Sequence, residues 1–259
     1  MTTVTFLGVG GAMAADPADN HTALAVRHGP HLLLLDCGPT IMRQLERVGL
    51  TAGDPTHVVV SHQHGDHSLG LPMLLLNRVL FWPDRPLAVL AVPSVLTVLK
   101  QLTHLAYPDL GRRLTQTVSF VPLAEASVQP LPDAAEVTYE LAPGKHSVPS
   151  WAVRLNFPGG RSLVYSADTG PAATVARLAA AADLLVHDTY YLETPEPWLE
   201  NHSSAEQVAA LAETAGVKAL ALVHRELTDE ASAAAYVAAA QRQFSGRVFA
   251  PMAGDAFTF

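Results

Sequence analysis

The amino-acid sequence predicts an α/β sandwich, two β-sheets face to face with helices outside. Two observations carry that expectation. Strand-like runs dominate the early part of each half of the chain, and a helical pattern closes each half. With 49% hydrophobic and only 15% charged residues over 259 positions, the chain also has the material for a sizeable core. No stretch reads as a linker, so residues 1–259 are expected to form one domain.

The first strand, 4–7, ends in Gly8-Val9-Gly10-Gly11. The Gly-x-Gly-x-x-Gly spacing of a dinucleotide site fails at Met13, so this is a tight turn and no cofactor-binding loop is expected. Residues 23–27 and 31–35 form a hairpin across His28-Gly29-Pro30 and deliver Asp36-Cys37-Gly38. A helix follows over 41–48, stopped by Gly49, and then a strand over 56–60. Behind that strand a buried helix starts at 69–76, with Pro72 in its first turn.

A strand over 87–92, a helix over 94–105 and strands near Val118 and Val137 come next. Residues 151–157 and 161–165 pair across Pro158-Gly159-Gly160, and Ser166-Ala167-Asp168 follows. An alanine-rich helix over 171–182 leads to a strand over 184–186 that ends at His187-Asp188. Ser203 with Glu206 predicts a capping box for the next helix, and Gly216 predicts its stop. A strand over 219–223 ends at His224, and a last helix over 229–244 leads to closing strands at Val248 and 256–259.

Chemistry-bearing residues gather just behind the apolar runs. His62, His64, Asp66 and His67 fall within six positions after Val58-Val59-Val60. Extended chain points 62 and 64 the same way, so they can share one metal, while Asp66 and His67 turn past Gly65 toward a second. His146, Asp168 and His224 stand at other strand ends. Five histidines and two aspartates suit two divalent metals sharing a carboxylate, with zinc, manganese or iron favoured over magnesium or calcium. His28, His31, His57 and His104 read as ordinary histidines, His21 and His187 as structural, and Asp188 as a group that orients a ligand.

Composition narrows the partners. The formal charge is -8 and Lys100, Lys145 and Lys218 are the only lysines, which argues against an extended nucleic-acid surface. The single cysteine, Cys37, excludes an internal disulfide and a cysteine metal site. No apolar stretch approaches the roughly 20 residues of a membrane span, and a cytoplasmic protein is expected.

These motifs, in this order, resemble the metallo-β-lactamase superfamily. Phe6-Leu7-Gly8, Asp36-Cys37-Gly38, the 61–67 run with Gly70-Leu71-Pro72, Tyr165-Ser166-Ala167-Asp168-Thr169 and His202-Ser203-Ser204 before His224 are similar to its ribonuclease Z branch. The resemblance implies a four-layer αββα sandwich of two mixed sheets. It also implies that His62, His64 and His146 hold one metal, that Asp66, His67 and His224 hold the other, and that Asp168 bridges them. His202 would contact phosphate or donate a proton, and a homodimer is expected from the family's habit of pairing.

The departures point away from tRNA. From His146 to Asp168 is 22 positions, filled by a hairpin, which leaves no room for the tRNA-gripping arm the resemblance places there. Pro39 replaces a glutamate after Asp-Cys-Gly, and Arg225-Glu226 follow His224 in place of a basic-aromatic tail. The expected activity is therefore hydrolysis of a small or flexible phosphodiester by hydroxide generated between two metals, with Asp66 orienting it and His202 protonating the leaving group. The same site can attack a carboxylic ester, lactone or aryl sulfate, and tRNA 3′ processing stands behind these readings. A non-catalytic metal-binding sensor would not need the seven ligand-type residues together with His202.

Overall fold

A computed structural model of the chain describes residues 1–13, 21–125, 127–196 and 201–259. Its internal contacts fall into two units, one of Met1–Gly8, Asn20–Leu123 and Ala253–Thr258, the other of Val9–Asp19, Ala124–Met252 and Phe259. Each unit has its own sheet, helices and apolar core.

The first unit contributes β1 (Thr2–Gly8), β2 (Ala23–His28), β3 (His31–Leu35), β4 (His57–Val59), β5 (Leu87–Ala91), β6 (Val118–Pro122) and β14 (Ala256–Thr258). They form a seven-stranded sheet in the order β14-β1-β2-β3-β4-β5-β6. Pairing is antiparallel from β14 to β3 and parallel from β3 to β6. The parallel strands are near-continuous apolar runs such as Leu32-Leu33-Leu34-Leu35, all buried, which is how interior parallel strands read. The helices are α1 (Ile41–Arg47), α2 (Gly65–Ser68), α3 (Leu71–Phe81), α4 (Pro93–Ala106) and α5 (Gly111–Thr117). On α3, Leu71, Leu74, Leu75 and Val79 follow the helical period and are buried, whereas Met73, Leu80 and Phe81 are exposed.

The second unit contributes β7 (Gln129–Leu131), β8 (Ala134–Pro143), β9 (Trp151–Phe157), β10 (Arg161–Tyr165), β11 (Leu184–Asp188), β12 (Ala219–Val223) and β13 (Arg247–Phe249). Its seven strands run in the order β13-β12-β11-β10-β9-β8-β7, antiparallel from β7 to β10 and parallel from β10 to β13. Helices α6 (Ala173–Leu178), α7 (Ala205–Ala215) and α8 (Glu230–Ala240) complete it, and small residues such as Ala209, Ala212 and Ala239 pack with Tyr236 and Phe244 in its core. Each sheet thus changes from antiparallel to parallel pairing partway across. Among the described residues no helix is long and apolar enough to cross a membrane.

Several expectations are corrected. The helix expected over 171–182 is only α6, because Ala181 turns left-handed (φ 52) and Arg154 Nη1 takes the carbonyls of Leu178 and Ala180, each at 2.8 Å. The capping box of α7 is Ser204 with Gln207, since Ser203 Oγ donates instead to the Thr169 carbonyl at 2.8 Å. Gly216 does stop α7, in the left-handed conformation at φ 66. The last helix ends at Ala240, and α2, α5 and β7 were not expected.

Candidate metal centre

Asp36, the 61–67 motif, Asp168, Asp188 and His224 lie at the C-terminal ends of parallel strands, where open α/β sheets place their sites. In the first unit, β3 and β4 run parallel and end side by side, so Asp36 after β3 faces Ser61 after β4. Asp36 accepts from the Ser61 N–H at 2.8 Å, from Ser61 Oγ at 2.9 Å and from His67 Nδ1 at 2.8 Å. Ser61 Oγ spends its proton on Asp36, so the 2.9 Å contact with His62 Nδ1 has the imidazole as donor. His62 and His67 therefore both keep their lone pair on Nε2. Their rings lie 4.2 Å apart, and the His62 and His64 rings 4.9 Å apart.

The Asp-Cys-Gly turn is laced to this motif. The Cys37 N–H donates to the His67 carbonyl at 2.8 Å, and its own carbonyl accepts from Gly70 N–H at 3.0 Å. A Cβ on Gly38 would lie 2.0 Å from the Asp66 carbonyl oxygen, so only glycine fits. Cys37 is buried, and burial followed by the Asp36 charge pushes its thiol far up, which makes it an inert packing group.

In the second unit, Asp168 after β10, Asp188 at the end of β11 and His224 after β12 converge, with His146 and His202 from loops. His224 Nε2 is 3.3 Å and His146 Nε2 3.8 Å from the Asp168 carboxylate. His146 donates through Nδ1 to the Asn201 carbonyl at 2.9 Å. Asp188 accepts from His202 Nδ1 at 2.8 Å, from Thr169 N–H at 2.9 Å and from Tyr190 N–H at 3.2 Å, with His224 Nδ1 at 3.4 Å. The His202 ring stacks on His224 at 5.1 Å, with Tyr190 5.0 Å away on another side. Single ligand atoms of Asp168, Asp188, His202 and His224 all lie within 4.8 Å of one another. The His202 side chain is 19% exposed, against 3% for those of His146, Asp168 and His224.

The donor chemistry fits divalent metal in both units. His67 Nε2 faces Asp66 Oδ2 at 3.1 Å while its Nδ1 is occupied by Asp36. Two atoms that both carry lone pairs come that close only with a cation between them or a second proton on the ring. His146 likewise has Nδ1 spent on a carbonyl and Nε2 3.8 Å from the Asp168 carboxylate, a separation at which both atoms can serve one cation. Each of these rings is fixed through its other nitrogen, the arrangement that orients metal-binding imidazoles.

Electrostatics support the Asp188–His202 pair. Burial by itself would raise the Asp188 carboxyl, but the charge and hydrogen bond of His202, with those of His224, hold it below its ordinary value. His187 is fully buried, burial lowers its pKa, and Nδ1 donates to the Asp188 carbonyl at 2.7 Å, so it stays a neutral spacer. Three non-glycine residues in the left-handed region carry these sites: Asp36 (φ 65), Ala167 (φ 54) and His224 (φ 58). Each costs about 1–2 kcal/mol, a cost that clusters at functional sites.

His57 is buried on Thr56 Oγ1 at 2.8 Å, His28 pairs with Thr2 Oγ1, His104 is exposed, and the His21 carbonyl accepts from Gln44 Nε2 at 2.7 Å. Sequence reasoning missed Asp36 as the partner of His67, Asn201 as the anchor of His146, and Tyr190 beside His202. Only Asp36 left a signal, a carboxylate directly after four buried leucines.

The chain matches the profile of the family described as "Anti-Pycsar protein Apyc1" over residues 2–244. It is 30% identical to a ribonuclease Z of Mycobacterium avium, over 96% of this chain and 95% of that one. Among solved structures it is similar to the metallo-β-lactamase fold protein YhfI from Bacillus subtilis, with a TM-score of 0.83 at 20% identity, covering 99% of this chain and 98% of the other. A diphosphatase of the PhnP family superimposes with a TM-score of 0.75 at 18% identity, covering 100% and 98%. These likenesses show the fold: two mixed seven-stranded sheets with helices, the metallo-β-lactamase α/β sandwich.

Proposed function

The chain belongs to the family described as Anti-Pycsar protein Apyc1 and to the ribonuclease Z-like branch of the metallo-β-lactamase superfamily, which makes it a metal-dependent hydrolase, and on that premise we propose that its substrate is a small or flexible phosphodiester. The observation that carries this reading is the Asp188–His202 pair, 2.8 Å apart and partly open to solvent beside Asp168 and His224. An imidazole held through Nδ1 by a buried carboxylate presents Nε2 as an acid, which is what an alkoxide leaving a phosphodiester needs. The names of the related ribonuclease Z and of the like-folded diphosphatase support phosphoester chemistry.

His62, His64 and His146 are assigned to one divalent metal and Asp66, His67 and His224 to a second, with Asp168 serving both, following the order of motifs in the family. Zinc suits this imidazole-rich set best. When bound, such ions neutralise charge on phosphate oxygens and bring the pKa of water toward neutrality. Asp66 orients the attacking water and His202 gives a proton to the leaving oxygen. We also propose that the 259 residues work as one domain in the cytoplasm and that the exposed Leu69, Met73, Leu80 and Phe81 offer the face of a homodimer, which light scattering tests.

A second reading follows from the relatives named ribonuclease Z, which favour an RNA substrate. Against it, β9 and β10 join across a tight turn at Pro158-Gly159-Gly160, with no arm between His146 and Asp168. Metal-loaded protein offered bis(p-nitrophenyl) phosphate, a cyclic mononucleotide, a lactone, an aryl sulfate and a precursor tRNA should turn over the small phosphodiesters fastest. His202→Ala should cost about 10²-fold or more on alkyl leaving groups and far less on p-nitrophenolate, which leaves without a proton. Inertness on every phosphodiester, with another ester cleaved independently of His202, rejects the reading.

A further inference from the structure

His224 follows β12 in the left-handed region, a conformation that an L side chain holds only where its surroundings impose it. The next residue supplies the constraint. Arg225 is fully buried, so the basic residue that departs from the branch's tail is turned into the fold, not toward substrate. Its Nη1 donates to the Leu222 carbonyl at 2.6 Å, its Nη2 to Pro251 at 3.0 Å and its Nε to Leu227 at 3.4 Å. One planar fork therefore ties the chain before the His224 turn to the chain after it and to a third segment. The Tyr236 ring lies 6.0 Å from the guanidinium carbon.

The backbone of Arg225 is fastened as well. Its N–H donates to the Val9 carbonyl and its carbonyl accepts from Gly11 N–H, each at 3.0 Å. Gly11 packs so closely that a Cβ there would lie 3.2 Å from His224 Cε1. The turn is thus held from inside by the guanidinium and along its edge by residues 9–11.

We propose that Arg225 is a positioning residue for His224: its guanidinium fixes the left-handed turn that aims the imidazole, so metal retention depends on a side chain that touches neither metal nor substrate. The inference rests on the assignment of His224 as a ligand. A lysine cannot replace it, because one ammonium lacks the planar set of donors that spans three carbonyls.

The test is zinc titrated calorimetrically into metal-free protein. Arg225→Met and Arg225→Lys should each weaken zinc binding by about 10–100-fold. Arg78→Met is the structural control, since Arg78 is equally buried but bonded to the carbonyls of Gly53 and Pro55, and it should lower Tm with zinc affinity unchanged. In a His224→Ala background, Arg225→Lys should add no further loss. If His224→Ala weakens zinc binding but Arg225→Lys does not, or if the Arg225 effect persists undiminished without His224, the positioning role is overturned. Zinc binding unaffected by His224→Ala overturns the ligand assignment and the proposal with it. Should Arg225→Met not fold, Arg225→Lys and amide exchange in the metal-free wild type carry the test: slow exchange at Arg225 and Gly11 supports a fixed turn, and exchange at the rate of an open loop refutes it.

Discussion

The two units gather their candidate site residues from the same strand-end geometry but in opposite ways. In the first, His62 to His67 are contiguous, and one carboxylate, Asp36, holds Ser61 and His67. In the second, His146, Asp168, His202 and His224 come from four places, and Asp188 gathers the Thr169 and Tyr190 amides with His202. The contiguous set is also wedged against backbone, since Gly38 leaves no room for a Cβ beside the Asp66 carbonyl, whereas Gly11 in the second unit packs against the Tyr190 and His224 side chains. The first unit should therefore fail in stability when disturbed, and the second in function.

The largest expected effect breaks that comparison if it is wrong. Asp36→Ala strands the Ser61 amide and His67 Nδ1 in a buried site and should cost about 3–5 kcal/mol in urea unfolding of the metal-free protein. Asp188→Ala should cost less stability but lower kcat about 10–100-fold through misdirected His202 and His224. Equal stability losses in the two variants would erase the distinction.

Glycine substitutions sharpen it. Gly38→Ala puts a methyl 2.0 Å from the Asp66 carbonyl, a backbone atom, and should cost about 3 kcal/mol or more. Gly11→Ala meets the Tyr190 ring at 2.9 Å, a side chain able to swing, and should cost about 1 kcal/mol, read from the same unfolding curves.

The smallest effect is on pH. The Asp188 carboxyl lies below its ordinary value in the fold, so its contribution is fully present above the unfolded carboxylate range and is lost as pH falls through the depressed value. Acid titration of metal-free protein should accordingly show a steeper loss of stability in wild type than in Asp188→Asn. Parallel curves would mean that the His202–Asp188 pair does not form in the fold.

The same contrast governs what the sequence made legible. Strands β9, β10 and β12 match the expected ranges because apolar runs are bounded there by glycine, proline or histidine. The 61–67 motif could be read because its residues are neighbours. Asp36 could be noticed as a carboxylate after apolar chain, but its pairing with His67, 31 residues away, left no local trace. Likewise the true length of α6 is set by Arg154, more than 20 positions upstream on β9. The doublets Ser203-Ser204 and Glu206-Gln207 offer two capping boxes, and only the bond from Ser203 to Thr169 selects the second. Local pattern finds elements and contiguous motifs, whereas long-range hydrogen bonds decide boundaries and orientation.

The central claim is that one dinuclear centre, with Asp168 serving both ions, cleaves small phosphodiesters. Metal analysis and phosphodiester turnover measured on the same preparations of wild type and Asp168→Ala test it most directly. The expected result is two divalent ions per wild-type chain, with both ions and turnover lost together in the variant. An Asp168→Ala protein that keeps its metal and its turnover contradicts the account.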